Sequence, residues 1–281
     1  MQARNDKLLF DAHLDTVGVI VTEFTGGYVK IAPLGSIDPR TLPAAELEFI
    51  QADGMRVFGV VNALAPHLTG GGSGDTSKIE DLFVDTGGVE LAPGTPGVFR
   101  QLIIDNGQLT MPYLDNRVGC AVLLDVMRRL DNANVGVDLA YLFSTQEEIG
   151  LRGAGAGAFS AEPDYCVVVD ATFAKSPYDT GYETFNSGAG VTIAVGPNMH
   201  RAFTQKLRKI ADKHGIPYSI EVLHSSSGTN AEGIQLSRGG VATVLVSVPV
   251  RYMHTPVEYT AASDIQAASD LLYYLVTEWD A

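Results

Sequence analysis

The chain has 281 residues, of which 33 are acidic and 19 are lysine or arginine, so its formal net charge is −14. Hydrophobic residues make up 46% and charged residues 19%, a globular composition that excludes a disordered or collagen-like chain. The acidic balance argues against nucleic-acid and anionic-membrane partners, because both need clustered lysine and arginine. Cys120 and Cys166 lie in apolar segments outside any CxxC pair and predict buried, reduced thiols. Without a membrane-spanning run or a secretory signal, the sequence predicts a cytoplasmic protein.

The first half of the chain has the pattern of short β-strands. The apolar run at 7–15 (KLLFDAHLD) predicts a buried strand that ends in polar residues. Between about 18 and 111 follow the runs GVIVTEF, YVKIAPLG, ELEFIQA, RVFGVVNA, LFVDTG and GVFRQLIID. Strands at this spacing predict a small β barrel or sandwich, and Asn106-Gly107 predicts a hairpin turn. The segment at 69–77 (TGGGSGDTS) predicts a loop and lacks the ending of a phosphate-binding loop.

After Tyr113 the pattern changes to alternating strands and helices. Helical spacing is found at 116–130, 200–214, 230–237 and 263–279, and strands are predicted at 138–144, 165–169, 190–195, 218–223 and 242–248. Ser263 and Gln266 match a capping box at the start of the last helix. The alternation predicts an α/β fold with a mostly parallel central sheet covered by helices. Because the all-β stretch interrupts this pattern, we predict an α/β domain of 1–20 and 112–281 with a barrel-like β domain inserted at 21–111.

Residues that can carry chemistry recur where the predicted strands end. Ligands of open α/β sheets bind at the carboxyl ends of the strands. The candidates at these positions are His13, Asp15, Asp115, Glu147, Glu148, Asp170 and His254. The remaining histidines, His67, His200, His214 and His224, have no such placement and are assigned to the surface or the core.

Two histidines and three carboxylates are the ligands that a pair of divalent ions needs, with one carboxylate bridging ions ~3.5–4 Å apart. Zinc, cobalt and manganese all accept this set of nitrogen and oxygen ligands. A further carboxylate can act as general base on a water. Glu147 and Glu148 suit such a division, since adjacent side chains of an extended segment point to opposite sides. Taken singly, each of these motifs also fits a structural or solvated role.

At these residues the sequence resembles a known family, the tetrahedral (dodecameric) or glutamyl aminopeptidases, which are dinuclear zinc or cobalt exopeptidases. The likeness covers nearly the whole chain in the family's order. The matching segments include DAHLDTVG at 11–18, YLDNRVGCAVLLDV at 113–126, STQEEIGLRGA at 144–154 and PVRYMHTPVE at 249–258. Within them, DNR, QEEIGLRGA and RYMHTP together are the specific signal.

The resemblance implies a role for each candidate metal ligand. His13 and Asp170 would bind one metal, Glu148 and His254 the other, and Asp115 would bridge the two. The family likeness also implies an α/β zinc-exopeptidase fold with the inserted β domain mediating dimerisation, and a dodecamer built from such dimers.

Two further carboxylates take catalytic roles by the same resemblance. Glu147 would be the general base, and Asp15 would accept the second ring N–H of His13 and fix its tautomer. The sequence departs from the family's pattern at Thr16, where a glutamate is usual, and at Asn230, where an aspartate is usual. Family members also carry roughly fifty more residues before the first strand.

The function that follows is a metal-dependent aminopeptidase acting on peptides. One alternative is a glycoside hydrolase that uses Glu147 with Asp115 or Asp170, although that mechanism has no use for the two histidines. The other is an inactive oligomeric or peptide-binding member of the family, which the missing N-terminal segment motivates.

Overall fold

The computed structural model describes residues 5–62, 67, 78–133, 135–178 and 181–279. The predicted loop at 69–77 lies outside these residues. The strands are β1 Lys7–His13, β2 Gly18–Thr25, β3 Tyr28–Leu34, β4 Glu46–Ile50, β5 Arg56–Val61, β6 Phe83–Asp85, β7 Pro96–Phe99, β8 Ile104–Asp105, β9 Gln108–Thr110, β10 Asp138–Ser144, β11 Tyr165–Phe173, β12 Val191–Val195, β13 Tyr218–Val222, β14 Ala242–Val250 and β15 Tyr259–Ala261. The α-helices are α1 Leu114–Arg129, α2 Arg152–Ala161, α3 Arg201–His214, α4 Ala231–Gln235 and α5 Ala262–Thr277.

The central sheet has the strand order β10-β1-β11-β14-β12-β13. Strands β10, β1, β11 and β14 are parallel, β12 is antiparallel to β14, and β13 is parallel to β12. Helices α1, α3 and α5 pack on one face, where Val169 and Val246 contribute to the core. Helices α2 and α4 pack on the other face, over Val168 and Leu245. Burial on both faces explains why these strands are continuous apolar runs, and it confirms the predicted α/β fold.

Within the described part of the chain, six strands close into a barrel in the order β2-β3-β6-β5-β4-β7. All neighbouring pairs are antiparallel. The barrel has its own core, which includes Val19, Phe49, Val84 and Phe99. Each of the predicted runs supplies one of its strands, so the prediction of a barrel-like β module is confirmed. The barrel strands run from Gly18 to Phe99; the division of the chain at 21 and 111 stays a prediction.

The predicted hairpin at Asn106-Gly107 joins β8 to β9 outside the barrel. These two strands form a separate sheet with β15, in which Thr110 pairs with Tyr259. The chain therefore leaves the barrel through a small sheet that is anchored next to α5.

The glycine-rich segment LRGAGAGAF, for which we predicted no element, forms α2. A Cβ atom at Gly153 would overlap the carbonyl oxygen of Thr145, and one at Gly157 would lie 2.6 Å from the Leu142 side chain. The glycines let the helix approach β10 closely, and this packing outweighs their low helix propensity.

The capping-box prediction for the last helix is wrong. α5 begins at Ala262, its N-cap residue is Ala261, and no side chain caps it. Ser263 lies inside the first turn. The side chain of the next residue, Asp264, accepts hydrogen bonds from the backbone N–H groups of Gly188 and Gly190 at 2.7 and 2.8 Å.

Cys120 and Cys166 are buried free thiols, as predicted. Among the described residues, no helix combines the length and the apolar character needed to cross a bilayer.

Candidate metal centre

His13 is the last residue of β1 and is almost completely buried. Its Nδ1 atom lies 3.0 Å from the main-chain oxygen of Asp15, which can accept a hydrogen from it. Its Nε2 atom faces two carboxylates, 3.2 Å from Asp115 Oδ1 and 3.4 Å from Asp170 Oδ1. The main-chain contact favours the tautomer in which Nε2 carries the free lone pair.

His254 has the same arrangement on the other side of Asp115. Its Nδ1 atom lies 2.8 Å from the main-chain oxygen of Ser36, which follows β3 of the barrel. Its Nε2 atom lies 3.3 Å from Asp115 Oδ2 and 3.4 Å from Glu148 Oε2. The segment after β3 therefore orients one of the two imidazoles, although no described residue of the barrel supplies a side chain to the cluster.

Two histidine–carboxylate groups consequently share Asp115. His13, Asp115 and Asp170 form one group, and Asp115, Glu148 and His254 form the other, with the potential ligand atoms of each group within 4.8 Å of one another. His13, Glu147 and Glu148 satisfy the same distance. The distances alone therefore do not separate the roles of the two glutamates.

The protonation of the cluster reflects an excess of buried negative charge. Burial opposes a charge on His254, but the carboxylates of Asp115 and Glu148 outweigh it and raise its pKa to about 9. For His13, burial is likewise outweighed by its neighbouring aspartates, and its pKa is raised. Burial raises the pKa of Glu148 to about 7, and the charge of Asp115 adds to that effect. Cations other than protons would relieve the same repulsion.

The residues present fit divalent ions. Asp115 Oδ1 and Glu148 Oε1 are buried and receive no hydrogen bond among the described residues. Buried carboxylate oxygens are costly unless they are hydrogen-bonded or coordinate a metal. Imidazole nitrogens together with carboxylate oxygens are a donor set that zinc, cobalt and manganese accept.

The carboxylate of Asp15 makes a different contact from the one expected. Its Oδ1 atom is 3.7 Å from His13 Nδ1, and the main-chain oxygen of the same residue is closer. The two carboxylate oxygens instead accept the backbone N–H groups of Glu147 and Glu148, each at 3.1 Å. Asp15 thus fixes the backbone that carries the glutamate pair.

Burial raises the pKa of Glu147 to about 8, and the charge of Asp170 adds to that effect.

Sequence reasoning missed Glu258, whose side chain is 1% exposed. Its carboxylate accepts the backbone N–H of Asp115 at 2.9 Å and that of His254 at 2.8 Å. His254 has φ 63°, a left-handed backbone that costs a non-glycine residue about 1–3 kcal/mol. Glu258 holds that backbone in place and ties together the two segments that meet at the cluster. The sequence offered one indication of this role: Glu258 ends the RYMHTPVE segment that contains His254.

The two departures from the family's pattern lie outside the cluster. The side-chain amide of Asn230 donates to Asp11 Oδ2 and to Ser144 Oγ, both at 2.9 Å, beneath the ends of β1 and β10. Thr16 is half-buried and is not among the residues that line the cavity described next.

The cluster lies in a cavity of ≈ 690 Å³. All seven predicted site residues except Asp15 line it, together with Ser36, Thr172, Glu221 and the loop 226–229. The remaining histidines do not line it. His200 caps α3 through Nδ1, and His214 contacts Glu278.

Solved aminopeptidases share this fold. An aminopeptidase from the archaeon Desulfurococcus kamchatkensis superposes with a TM-score of 0.89 at 27% identity, covering 99% of this chain and 81% of that one. The TET1 peptidase of Pyrococcus horikoshii, which can assemble into a tetrahedron or a large octahedral shell, gives a TM-score of 0.85 at 26% identity, covering 98% and 85% of the two chains. This chain is therefore a peptide hydrolase by class.

The chain belongs to the M42 glutamyl aminopeptidase family, whose sequence profile matches residues 2–271. It is also 33% identical over 285 residues to the lysyl aminopeptidase of Pyrococcus furiosus, an alignment that covers 97% of this chain and 82% of that protein.

Proposed function

We propose that the protein is an aminopeptidase that uses two divalent metal ions to release N-terminal residues from peptides. The observation that carries the proposal is Asp115, whose two carboxylate oxygens face two different imidazoles at 3.2 and 3.3 Å. His13 and Asp170 would hold one ion, and Glu148 and His254 the other. Zinc or cobalt, or alternatively manganese, suits these ligands.

The chain's own residues divide the remaining work. Lewis-acid polarisation of the scissile carbonyl and acidification of a water are the chemistry that such ions supply when bound. Glu147 lines the cavity beside the cluster, and Asp15 fixes its backbone. Glu147 would accept the proton of the attacking water on a carboxylate oxygen and then donate it to the nitrogen of the departing peptide.

The assembly that we propose is a homodimer through the β barrel, with a dodecamer as its extension. The large assemblies formed by the Pyrococcus horikoshii TET1 peptidase support it. Exposed apolar side chains on the barrel surface, Phe58 and Val60 among them, support it independently.

The experiment that tests the function is elemental analysis combined with a panel of aminoacyl-arylamides, before and after chelation. We expect two equivalents of metal per chain, hydrolysis of arylamides with a free N-terminus, and loss of hydrolysis after chelation that added metal restores. N-acetylated arylamides serve as the control and should not react. Hydrolysis that survives complete metal removal would contradict the proposal, and cleavage of a glycoside by the metal-free protein would favour the two-carboxylate alternative.

A further inference from the structure

A row of polar side chains leads away from the metal centre across the sheet. Asp170 on β11 is the register partner of Ser247 on β14, and Ser247 is the register partner of Thr192 on β12. Register partners lie on the same face of a sheet, so these side chains are on the face that α2 and α4 cover. Ser247 and Thr192 are both buried there.

Glu221, on β13, reaches over this row. Its Oε1 atom accepts a hydrogen bond from Thr172 Oγ1 at 2.7 Å, and its Oε2 atom accepts hydrogen bonds from Thr192 Oγ1 at 2.8 Å and Ser247 Oγ at 3.5 Å. These hydroxyls hold the carboxylate in one position on the cavity wall. Thr172 follows Asp170 by two residues along β11, so their Cα atoms are about 6.6 Å apart.

Among the described residues, Glu221 has no cationic partner. All three side-chain donors are neutral hydroxyls, and no lysine, arginine or histidine in the described ranges forms an ion pair with it. None of the described residues that line the cavity is a lysine or an arginine. Burial raises the pKa of Glu221, and the charge of Glu183 adds to that effect. Glu221 is half-buried and lines the cavity, so its carboxylate can accept a cation that enters the cavity.

We infer that Glu221 selects substrates whose N-terminal residue is basic, by binding the ammonium or guanidinium group of that residue's side chain. The inference rests on the proposed aminopeptidase function. Glu221 lines the same cavity as the cluster, so a lysine whose scissile bond lies at the cluster can extend its four-carbon stem through that cavity towards Glu221. Leu245 and Phe173 line the same cavity and offer apolar surface to the stem.

The first arm of the test uses the unmodified enzyme. It compares kcat/KM for the arylamides of lysine, norleucine and Nε-acetyl-lysine, which share the stem but differ in the charge at its end. If Glu221 forms a charge-assisted hydrogen bond with the lysine ammonium, kcat/KM for the lysine arylamide should exceed that for the two uncharged analogues by about tenfold to about a hundredfold. Equal or better turnover of norleucine would overturn the inference and leave the proposed function standing.

The second arm compares Glu221→Gln with Glu183→Gln. Both variants lose one negative charge near β13, where Glu183 accepts the backbone N–H of Val222, but Glu183 is exposed and does not line the cavity. The ratio of kcat/KM for lysine over norleucine should fall to about one in Glu221→Gln and stay within about twofold of the unmodified ratio in Glu183→Gln. An unchanged ratio in a folded Glu221→Gln protein would overturn the inference. If that variant does not fold, the ratios of the unmodified enzyme decide.

Calorimetric binding of free L-lysine and L-norleucine to the metal-loaded protein separates this inference from the proposed function. Tighter binding of L-lysine supports the subsite even if the protein hydrolyses no arylamide, an outcome that would defeat the proposed function alone. Equal binding of the two amino acids would overturn the subsite.

Discussion

At the residue scale, Asp115 is the point on which both imidazoles converge. Asp115→Ala should remove both metal ions, because among the described carboxylates only Asp115 has oxygens as close as 3.2 Å to His13 and 3.3 Å to His254. Asp125→Ala is the matched control: this aspartate lies on the same helix but pairs with Arg128 and Arg129 at the surface. The prediction is checked by measuring the metal content per chain with inductively coupled plasma mass spectrometry. If Asp115→Ala still binds two metal ions per chain, Asp115 is not the residue that bridges them.

The glutamate pair should divide by function. Glu147→Gln should keep both metals and lose turnover by on the order of 10²–10⁴, the contribution of a general base. Glu148→Gln should instead weaken the binding of one metal, because its carboxylate faces His254 at 3.4 Å. Metal content and kcat are measured for both variants. The opposite pattern would mean that the two roles are exchanged, which the distances around His13 allow.

Glu258 should act through the residues that it positions. In Glu258→Gln an NH₂ group replaces one acceptor, so one of the two backbone N–H groups, of Asp115 or of His254, loses its partner. Changes of groups that orient metal ligands typically lower metal affinity by about 10–100-fold. Titration against a competing chelator measures this affinity, and Glu23→Gln on the exposed barrel surface is the control. Affinity equal to that of the control would refute the positioning role.

At the scale of elements, α2 depends on glycine for its distance from β10. Gly153→Ala should destabilise the protein by about 1–3 kcal/mol, because the new methyl group overlaps the Thr145 carbonyl. Gly155→Ala, in the same helix, meets no atom nearer than 3.6 Å and should stabilise the protein by about 0.5–1 kcal/mol through helix propensity. The two thermal unfolding midpoints should therefore move in opposite directions. Equal shifts would show that close packing does not set the position of α2.

At the scale of the whole molecule, the outer surface of the barrel should hold two copies together. Phe58 on β5 is 55% exposed and Val60 is 45% exposed, in a strand whose other side fills the barrel core. At physiological salt, repulsion between chains of net charge −14 decays over ~8 Å, so buried apolar area can prevail.

Phe58→Glu should dissociate the dimer, because it places a charge in the proposed contact. Thr22→Glu adds the same charge on β2, across the barrel from β5, and should leave the assembly intact. Light scattering at micromolar concentration measures the particle mass. A particle of ~30 kDa from the unmodified protein would contradict the dimer.

Short-range patterns in the amino-acid sequence were sufficient to predict most strands and several site residues. Apolar runs at 165–169 and 242–248 predicted strands of a covered parallel sheet, since burial on both faces removes alternation. Alternation and turn signals likewise predicted the strands of the barrel. His13 and Asp170 were identifiable as site candidates because parallel strands bring their carboxyl ends to one edge of a sheet.

Which side chains and backbone groups contact one another could not be predicted before the three-dimensional packing was known. The backbone contacts of Asp15 and Glu258 depend on how separate segments meet, and so does the place of Glu221 in the cavity of the histidine–carboxylate cluster. The sequence did not predict α2 for a related reason. Its glycines lower the local helix propensity, and their advantage is the close packing on β10 that they permit. The spacing of apolar residues in a strand or helix indicates which face of the element is buried. Which other element packs on that face depends on contacts between residues far apart in the chain.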